Sequence, residues 1–172
     1  MVEGVLCDDR AVNREEFAEL VDGLDYPMFV VTTAHDGERA GCMVGFTTQA
    51  SIDPPRMLVC LSVKNRTHRV ALGADVLAVH VLDPDDGPLA ELFGGETGDD
   101  VDKFERVEWR PGENGVPLLE ECSRRFVGRV LDRFELGDHT GFLLDPIEAT
   151  SESGGPALGF QQVDDLEPGH EA

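Results

Sequence analysis

The chain has 172 residues, of which 41% are hydrophobic and 28% are charged, as in folded globular proteins. Its net charge is −21, because 35 acidic residues oppose 14 basic ones, and so acidic a surface disfavours binding to nucleic acid or anionic membranes. No apolar run reaches the roughly 20 residues that span a bilayer, and the N-terminus lacks the basic start of a secretory signal, so we expect a cytoplasmic protein.

The N-terminal part of the chain has the pattern of one short helix. Asn13 is a capping residue, and Glu16 follows three positions later, as in a capping box. Apolar residues recur at helical spacing in Phe17, Leu20, Val21 and Leu24. We expect this apolar face to pack inward.

After Pro27 the pattern changes to β-structure. Residues 28–46 contain two β-rich runs around the turn sequence HDGE, which predicts an antiparallel hairpin. The prolines at 53–55 interrupt strand pairing, and residues 57–63 predict a buried strand. Residues 64–75 then predict a short helix, with Asn65 or Thr67 as its cap.

Strands dominate the remainder of the chain. Residues 76–82 predict a strand, residues 85–95 a short helix, and the polar stretch 96–115 an excursion outside the core. Residues 122–150 predict a long hairpin that turns at GDHT.

The C-terminal part completes the predicted fold. Residues 156–163 predict an edge strand, and residues 163–172 a flexible acidic tail. We therefore expect a single domain over residues 1–162, built as a closed or partly closed antiparallel barrel.

The common signatures of enzyme sites are missing from the sequence. It has no GxGxxG, no P-loop and no GxSxG, which disfavours a Rossmann site, a P-loop site and a serine nucleophile elbow. The four cysteines and five histidines show no metal-ligand spacing, so no metal site is expected.

Three local features have both a structural and a functional interpretation. In LSVKNRTH, residues 61–68, Ser62 and Arg66 suit an anion, although Asn65 or Thr67 is equally a helix cap and Arg66 a solvated charge. Gly41 and Gly45 either curve a barrel strand or expose main chain to a flat ligand. In GDHT, His139 either belongs to a plain turn or faces a ligand.

Taken together, these segments resemble the flavin reductase-like family of FMN-binding split barrels. The matching positions, in family order, are Val31, Thr32, Thr33, Ala40, Gly41, Ser51, Asp53, Pro54, Pro55, Arg66, Thr67, His68, Gly137, Asp138 and His139. The segments DKFERVEW and GVPLLEE also look like the middle section of that family. The resemblance implies a mainly β fold, namely an antiparallel Greek-key split β-barrel with short peripheral helices.

The resemblance also implies a site and a reaction. It implies FMN, or FAD, as cofactor, NAD(P)H as reductant, a homodimer with the flavin near the interface, and a partner monooxygenase. The implied flavin contacts come from Thr32, Thr33, Cys42, Met43, Val44, Gly45, Phe46, Thr47, Leu61, Ser62, Asn65, Arg66 and Thr67. His139 is expected near the nicotinamide, as the catalytic position.

Three functional hypotheses follow. The first is an NAD(P)H:flavin reductase, in which the nicotinamide passes hydride to the flavin. The second is a non-catalytic flavin carrier or electron-transfer protein, and the third is an interaction protein that keeps the barrel without flavin. Many reductases have paired serines where this chain has Gly45 and Phe46, which would remove side-chain hydrogen bonds to the flavin and leave Phe46 to stack on or wall off the ring.

Overall fold

A computed structural model of the protein describes residues 12–152 and 154–169. In chain order, its helices and strands are α1 (Arg14–Asp22), β1 (Phe29–His35), β2 (Glu38–Val44), β3 (Thr47–Ser51), β4 (Arg56–Ser62), α2 (Arg66–Ala71), β5 (Val76–Val81), α3 (Gly87–Gly95), β6 (Trp109–Pro111), β7 (Pro117–Leu119), β8 (Arg124–Glu135) and β9 (His139–Ser151). The predicted mainly β class is confirmed, and the helices are short.

Seven strands form one antiparallel sheet in the order β2-β1-β5-β8-β9-β4-β3. Its two edge strands, β2 and β3, follow each other in sequence and are joined by Gly45 and Phe46 alone. The three Cα–Cα steps from Val44 to Thr47 span at most about 11 Å, so the sheet must curl until its edges approach each other. The result is an antiparallel barrel that is open beside this short connection.

The first hairpin forms where its turn sequence predicts it. Asp36 and Gly37 connect β1 to β2, with φ angles of 49° and 80°. Positive φ at both central positions matches the right-handed twist of the paired strands, and Asp-Gly accepts that geometry readily. The register that follows pairs Val30 with Met43 and thereby fixes the position of the 42–46 main chain.

Both faces of β1 are buried, which explains its continuous apolar run. Val31 points into the barrel interior with Leu61 and Phe142, whereas Val30 points outward to a second core beneath α3. All three interior residues are at most 1% exposed. The outer core packs against β1, which pairs with β2 and its predicted site residues.

Helix α1 begins after Asn13 as predicted, and the Asn13 side chain accepts a hydrogen bond from the Glu15 N–H. The prediction that its apolar face packs inward is wrong. Described residues of α1 include none that is buried, and Phe17 and Leu20 are 55% and 65% exposed. The barrel core is already filled by strand residues, so α1 lies on the surface with an uncovered apolar face.

The stretch 96–115 was expected outside the core, and that prediction is wrong at its centre. Phe104 is buried in the outer core and makes an edge-to-face contact with Phe93 of α3, at 5.9 Å between ring centroids. Beside it, Lys103 is only 4% exposed. The polar, Gly-rich composition of this stretch therefore did not indicate that Lys103 and Phe104 are buried.

The predicted edge strand at 156–163 does not form. Leu158 instead sits between two strand ends, donating its N–H to Leu82 O and accepting from Met28 N–H, both at 2.8 Å. The following residues, Phe160–Gln162, make a 3-10 turn. Residues 156–163, here called the C-terminal strap, therefore cover the end of the outer core and do not extend the sheet.

Residues 163–169, within the predicted tail, lie against α3. Val163 is 8% exposed, and the Gly169 N–H donates to Gly94 O at 3.0 Å. The flexibility of residues 163–172 and the single domain over residues 1–162 stay predictions. Across residues 12–152 and 154–169, no helix is long and apolar enough to cross a membrane.

The net charge of −21 has a consequence for stability. Repulsion among like charges opposes the compact state, and dissolved salt screens it. We expect the melting temperature to rise by several degrees between low salt and molar KCl, measured by circular dichroism. A melting temperature that is constant or falls over that range would show that self-repulsion is not a significant cost in this protein.

Candidate functional site

A cavity of about 200 Å³, here called the aromatic recess, opens where the sheet edges approach each other. Its walls include most of the predicted site residues, namely Cys42, Met43, Val44, Gly45, Phe46, Leu61, Ser62, Asn65 and His139. They come from β2, β4, the start of α2 and the tip of the β8–β9 hairpin. The barrel thus brings together residues that are about 100 positions apart in sequence.

The recess is bordered by aromatic rings. The ring centroid of Phe46 lies 5.3 Å from that of His139 and 6.1 Å from that of Tyr26. Tyr26 in turn stacks on Phe160, at 4.8 Å and an interplanar angle of 14°. Phe46 is 56% exposed, so one of its faces is free of protein contact. Such a border suits a flat apolar or aromatic ligand.

Close packing explains both glycines of β2 and its connection to β3. A Cβ on Gly45 would lie 2.4 Å from the Tyr26 ring, and one on Gly41 would lie 2.9 Å from Phe93. Each glycine therefore admits a neighbouring aromatic side chain. This reason is distinct from both strand curvature and room for a ligand, the two interpretations that the sequence leaves open.

His139 lies at the rim of the recess because β9 begins there, paired with Ser62 at the end of β4. Its Nδ1 donates to the Asp138 carboxylate at 2.7 Å, which leaves Nε2 as the ring nitrogen without that bond. This contact lowers the pKa of the Asp138 carboxyl. His139 is thus oriented by its sequence neighbour and by the adjacent Phe46 ring.

A second cavity, of about 340 Å³, lies next along the same elements and is here called the arginine cavity. Consecutive residues line the two cavities: Gly41 and Arg66 face the arginine cavity, while Cys42 and Asn65 face the recess. Asn65 is the cap of α2, since its side chain accepts from the Thr67 N–H at 2.9 Å. The capping interpretation of Asn65 is confirmed.

Three basic side chains meet in the arginine cavity: Arg39, Arg66 and Lys103. Lys103 donates to two carbonyl oxygens, Phe93 O at 3.0 Å and Gly41 O at 3.4 Å. Burial lowers the pKa of its ammonium group, but nearby Cys42 and Glu96 oppose that shift. The carboxylates of Asp36, Glu38 and Asp102 line the same cavity, so its three basic groups are matched by three acidic ones.

The structure brings Thr32 and Thr33 to neither the aromatic recess nor the arginine cavity. Both are 0% exposed. The Thr32 hydroxyl donates to Pro117 O at 2.5 Å, and the Thr33 hydroxyl to Val76 O at 3.3 Å. Both hydroxyls bond main-chain oxygens, so they serve the fold. Thr67 is 1% exposed, and its side chain forms a hydrogen bond with the Cys42 thiol. Burial is the main reason why the pKa of that thiol rises to about 11.

A third, largely apolar groove of about 570 Å³ adjoins the recess. It is lined by Phe17, Val21 and Leu24 of the α1 segment and by Phe46 and Leu58 from the sheet. The Thr47 hydroxyl on its wall is buried and has no hydrogen-bond partner within residues 12–152 and 154–169.

Sequence reasoning missed Tyr26, Phe160 and Lys103. Tyr26 precedes the strand pattern, and Phe160 reaches the recess only because the C-terminal strap returns to the Tyr26 main chain, where its N–H donates to Tyr26 O. No local pattern signals such a return. Lys103 did stand within a segment that resembles the family, DKFERVEW, but that segment was not assigned to the site.

Comparisons of this chain with a family model, with curated proteins and with solved structures all find similarity to flavin reductases or reductase components. The family described as "Flavin reductase like domain" matches residues 21–164. A probable flavin reductase of Rhizobium meliloti is 31% identical over 157 residues, which cover 89% of this chain and 47% of that protein. The chain thus spans about half the length of that relative.

Two further proteins match over most of both chains. The reductase component of 4-nitrophenol 4-monooxygenase/4-nitrocatechol 2-monooxygenase from Rhodococcus opacus is 31% identical over 145 residues, covering 84% of this chain and 76% of that protein. The solved structure of the NADH:FAD oxidoreductase SgcE6 from Streptomyces globisporus C-1027 superposes with a TM-score of 0.77 at 26% identity, covering 86% and 87% of the two chains.

Proposed function

The chain belongs to the flavin reductase-like domain family, and on that premise we propose that it is an NAD(P)H:flavin reductase. The flavin would be FMN or FAD, and the reductant NADH or NADPH. The observation that carries the proposal is the aromatic recess, where the 42–46 main chain, the Phe46 ring and His139 converge. The similar proteins named as flavin reductase and NADH:FAD oxidoreductase support the same reaction.

The residues of the two cavities fit a flavin. Main-chain groups of residues 42–46 offer donors and acceptors to the polar edge of a ring, and Phe46 and Tyr26 offer apolar faces. The arginine cavity next to the recess offers Arg66 and Lys103 to a phosphate. Ser62 and Asn65 line the recess, and Asn65 directly precedes Arg66 of the arginine cavity. An aromatic ring carrying a phosphorylated chain matches that order of groups.

The protein's part in the reaction is to bind and to orient. A bound flavin supplies an acceptor for hydride from the nicotinamide, so no protein nucleophile or acid is required. The rings of Phe46 and Tyr26 border the recess, and Asp138 holds His139 through its Nδ1–H, so Nε2, which is the acceptor of the neutral ring, is the nitrogen that a ligand at the rim would meet. Accurate positioning of two reactants is the contribution expected of such a site.

Binding is tested by titrating the purified protein with FMN and following the quenching of flavin fluorescence. Saturable binding at one site per chain is expected. Absence of saturable binding would contradict the proposal and favour an interaction protein that keeps the barrel without flavin. Saturable binding without reduction by either nicotinamide would favour a flavin carrier.

We further propose that two copies of the chain associate through the apolar groove. The support is the uncovered face of α1, with Phe17, Leu20 and Leu24 each more than half exposed, and the adjacent exposed Phe46. Isolated soluble proteins rarely leave so much contiguous apolar surface in water. A second copy on this surface would lie beside the recess, as the resemblance implies, and would cover Phe46.

Phe17→Glu tests the association. A charge in the groove is expected to shift the protein from dimer to monomer, because burial of an unpaired carboxylate is costly. Sedimentation at several concentrations measures this shift. Leu131→Glu is the matched control, since Leu131 is 46% exposed on β8 and does not line the groove. A Phe17→Glu protein that remains dimeric, or a wild type that is monomeric throughout, would refute association through this face.

A monooxygenase is the proposed recipient of the reduced flavin. The similarity to a monooxygenase reductase component from Rhodococcus opacus supports this proposal. The cytoplasmic location likewise stays a prediction.

A further inference from the structure

The guanidinium group of Arg66 is already occupied by the protein itself. Its Nε and Nη2 donate to a single oxygen of Glu38, at 2.9 Å and 2.8 Å. Its Nη1 donates to the carbonyl oxygen of Gly98. All three nitrogens of the residue best placed to grip a phosphate therefore have partners.

Glu38 is held less firmly than Arg66. The Glu38 side chain is 52% exposed and that of Arg66 30%, so the carboxylate can turn outward into water while the guanidinium stays at the cavity wall. Exposed ion pairs of this kind contribute only about 0.2–1 kcal/mol. The pair is therefore weak enough for a ligand to break, yet the carboxylate must move before a phosphate can take its place.

The other arginine of the cavity is also paired with a carboxylate. Arg39 donates to Asp102 at 2.6 Å, and its guanidinium lies 5.2 Å from the Trp109 ring centroid and 5.6 Å from that of Phe104. Lys103 is bound to two carbonyl oxygens behind them. Arg66 differs from Arg39 in that one carboxylate, that of Glu38, holds two of its nitrogens.

We propose that Glu38 competes with the flavin phosphate for Arg66 and so sets how strongly the protein prefers phosphorylated flavins over riboflavin. This inference rests on the proposed function. A phosphate ester carries up to two negative charges, so it meets both the occupied guanidinium and the repulsion of the Glu38 carboxylate. The competition weakens binding and favours exchange of the flavin with solution, which suits a protein that passes reduced flavin to another enzyme.

The test compares Glu38→Gln with wild type in titrations with FMN and with riboflavin, which lacks the phosphate. The amide keeps the shape of the side chain and removes its charge. FMN affinity is expected to rise, on the order of fivefold, because the competing ion pair and its repulsion are both removed. Riboflavin affinity is expected to remain the same.

Asp99→Asn is the matched control. Asp99 pairs with Arg69, three residues beyond Arg66, at 2.5 Å, and it does not line the arginine cavity. This control removes the same charge from the same neighbourhood, so it reports any general electrostatic effect. Melting temperatures of the variants verify that each is folded, and Glu38→Ala provides a second variant without a side-chain amide.

The inference would be overturned if FMN affinity were unchanged in both Glu38 variants, if riboflavin affinity rose equally, or if Asp99→Asn acted like Glu38→Gln. A change confined to NADH affinity would overturn it as well, by assigning Arg66 to the dinucleotide. Failure of the proposed function looks different, since the wild type would then either not bind FMN or bind it without being reduced by NADH or NADPH.

Discussion

Replacing His80 with leucine is expected to lower the free energy of unfolding by about 3–5 kcal/mol, because two buried main-chain groups lose their partner. His80 is 0% exposed on β5. Its Nε2 accepts the Leu119 N–H at 3.0 Å, so the ring proton is on Nδ1, which donates to Val30 O at 3.0 Å. The ring thus ties together β1, β5 and β7, and leucine replaces neither bond. Urea unfolding at neutral pH measures the loss.

The same histidine predicts a loss of stability in acid. Burial lowers the pKa of His80 from its usual 6.5 to about 4, partly opposed by its bond to Val30 O. The unfolded chain therefore takes up a proton at a higher pH than the folded chain does. Stability from this group is fully present above pH 6.5 and is lost as pH falls towards 4, by about 3 kcal/mol in total.

Comparison with variants isolates this contribution from the carboxylates that titrate nearby. The decrease in unfolding free energy between pH 6.5 and pH 4 is expected to be smaller in His80→Leu by that amount. His35→Gln is the control, since His35 is exposed at the end of β1. A His80→Leu protein with wild-type stability, or with an unchanged pH profile, would show that His80 does not tie these strands together.

Arg66→Ala is expected to weaken FMN binding by roughly 1.5–3 kcal/mol, if Arg66 makes a charge-assisted bond to the phosphate. The substitution removes the guanidinium and leaves the Glu38 carboxylate at the cavity with no partner there. The affinity for riboflavin should change little, because riboflavin has no phosphate. Fluorescence titration with both flavins gives the two affinities.

Arg69→Ala controls for the loss of one positive charge on α2. Arg69 is paired with Asp99 and lies outside the arginine cavity. Its replacement should leave the ratio of FMN to riboflavin affinity unchanged. Equal FMN affinity in wild type and Arg66→Ala would remove Arg66 from the site.

The elements that the sequence predicts well are those with strong local signals. Asp36 and Gly37 dictate their own turn, Asn65 caps α2, and Gly137 at a φ of 104° allows the turn before His139. Each signal concerns residues close in sequence, where main-chain geometry leaves few choices. The barrel follows from several such strands in succession.

The elements that sequence reasoning missed depend on distant contacts. Phe104 belongs to the outer core although the surrounding sequence is polar. Phe160 reaches the recess because the C-terminal strap is hydrogen-bonded to the Tyr26 main chain. Helix α1 has a correct start and spacing, yet the core has no room for its apolar face. Periodicity predicts that a face is apolar, and it does not say what covers that face.

The same limit applies to the site. Thr32 and Thr33 match the family pattern, but both are buried and their hydroxyls donate to main-chain oxygens. Small or polar residues on a strand fit a ligand and close packing equally well, and Gly45 shows the latter through Tyr26. Only three-dimensional contacts separate the two.

We propose that this protein transfers hydride from a nicotinamide to a flavin held in the aromatic recess. The direct test mixes FMN-loaded protein with NADH, and separately with NADPH, under anaerobic conditions and follows the visible absorbance of oxidised flavin. We predict that one of the two nicotinamides removes that absorbance, with one nicotinamide oxidised per flavin and far faster than without protein. Bound flavin that stays oxidised with both nicotinamides would contradict the account.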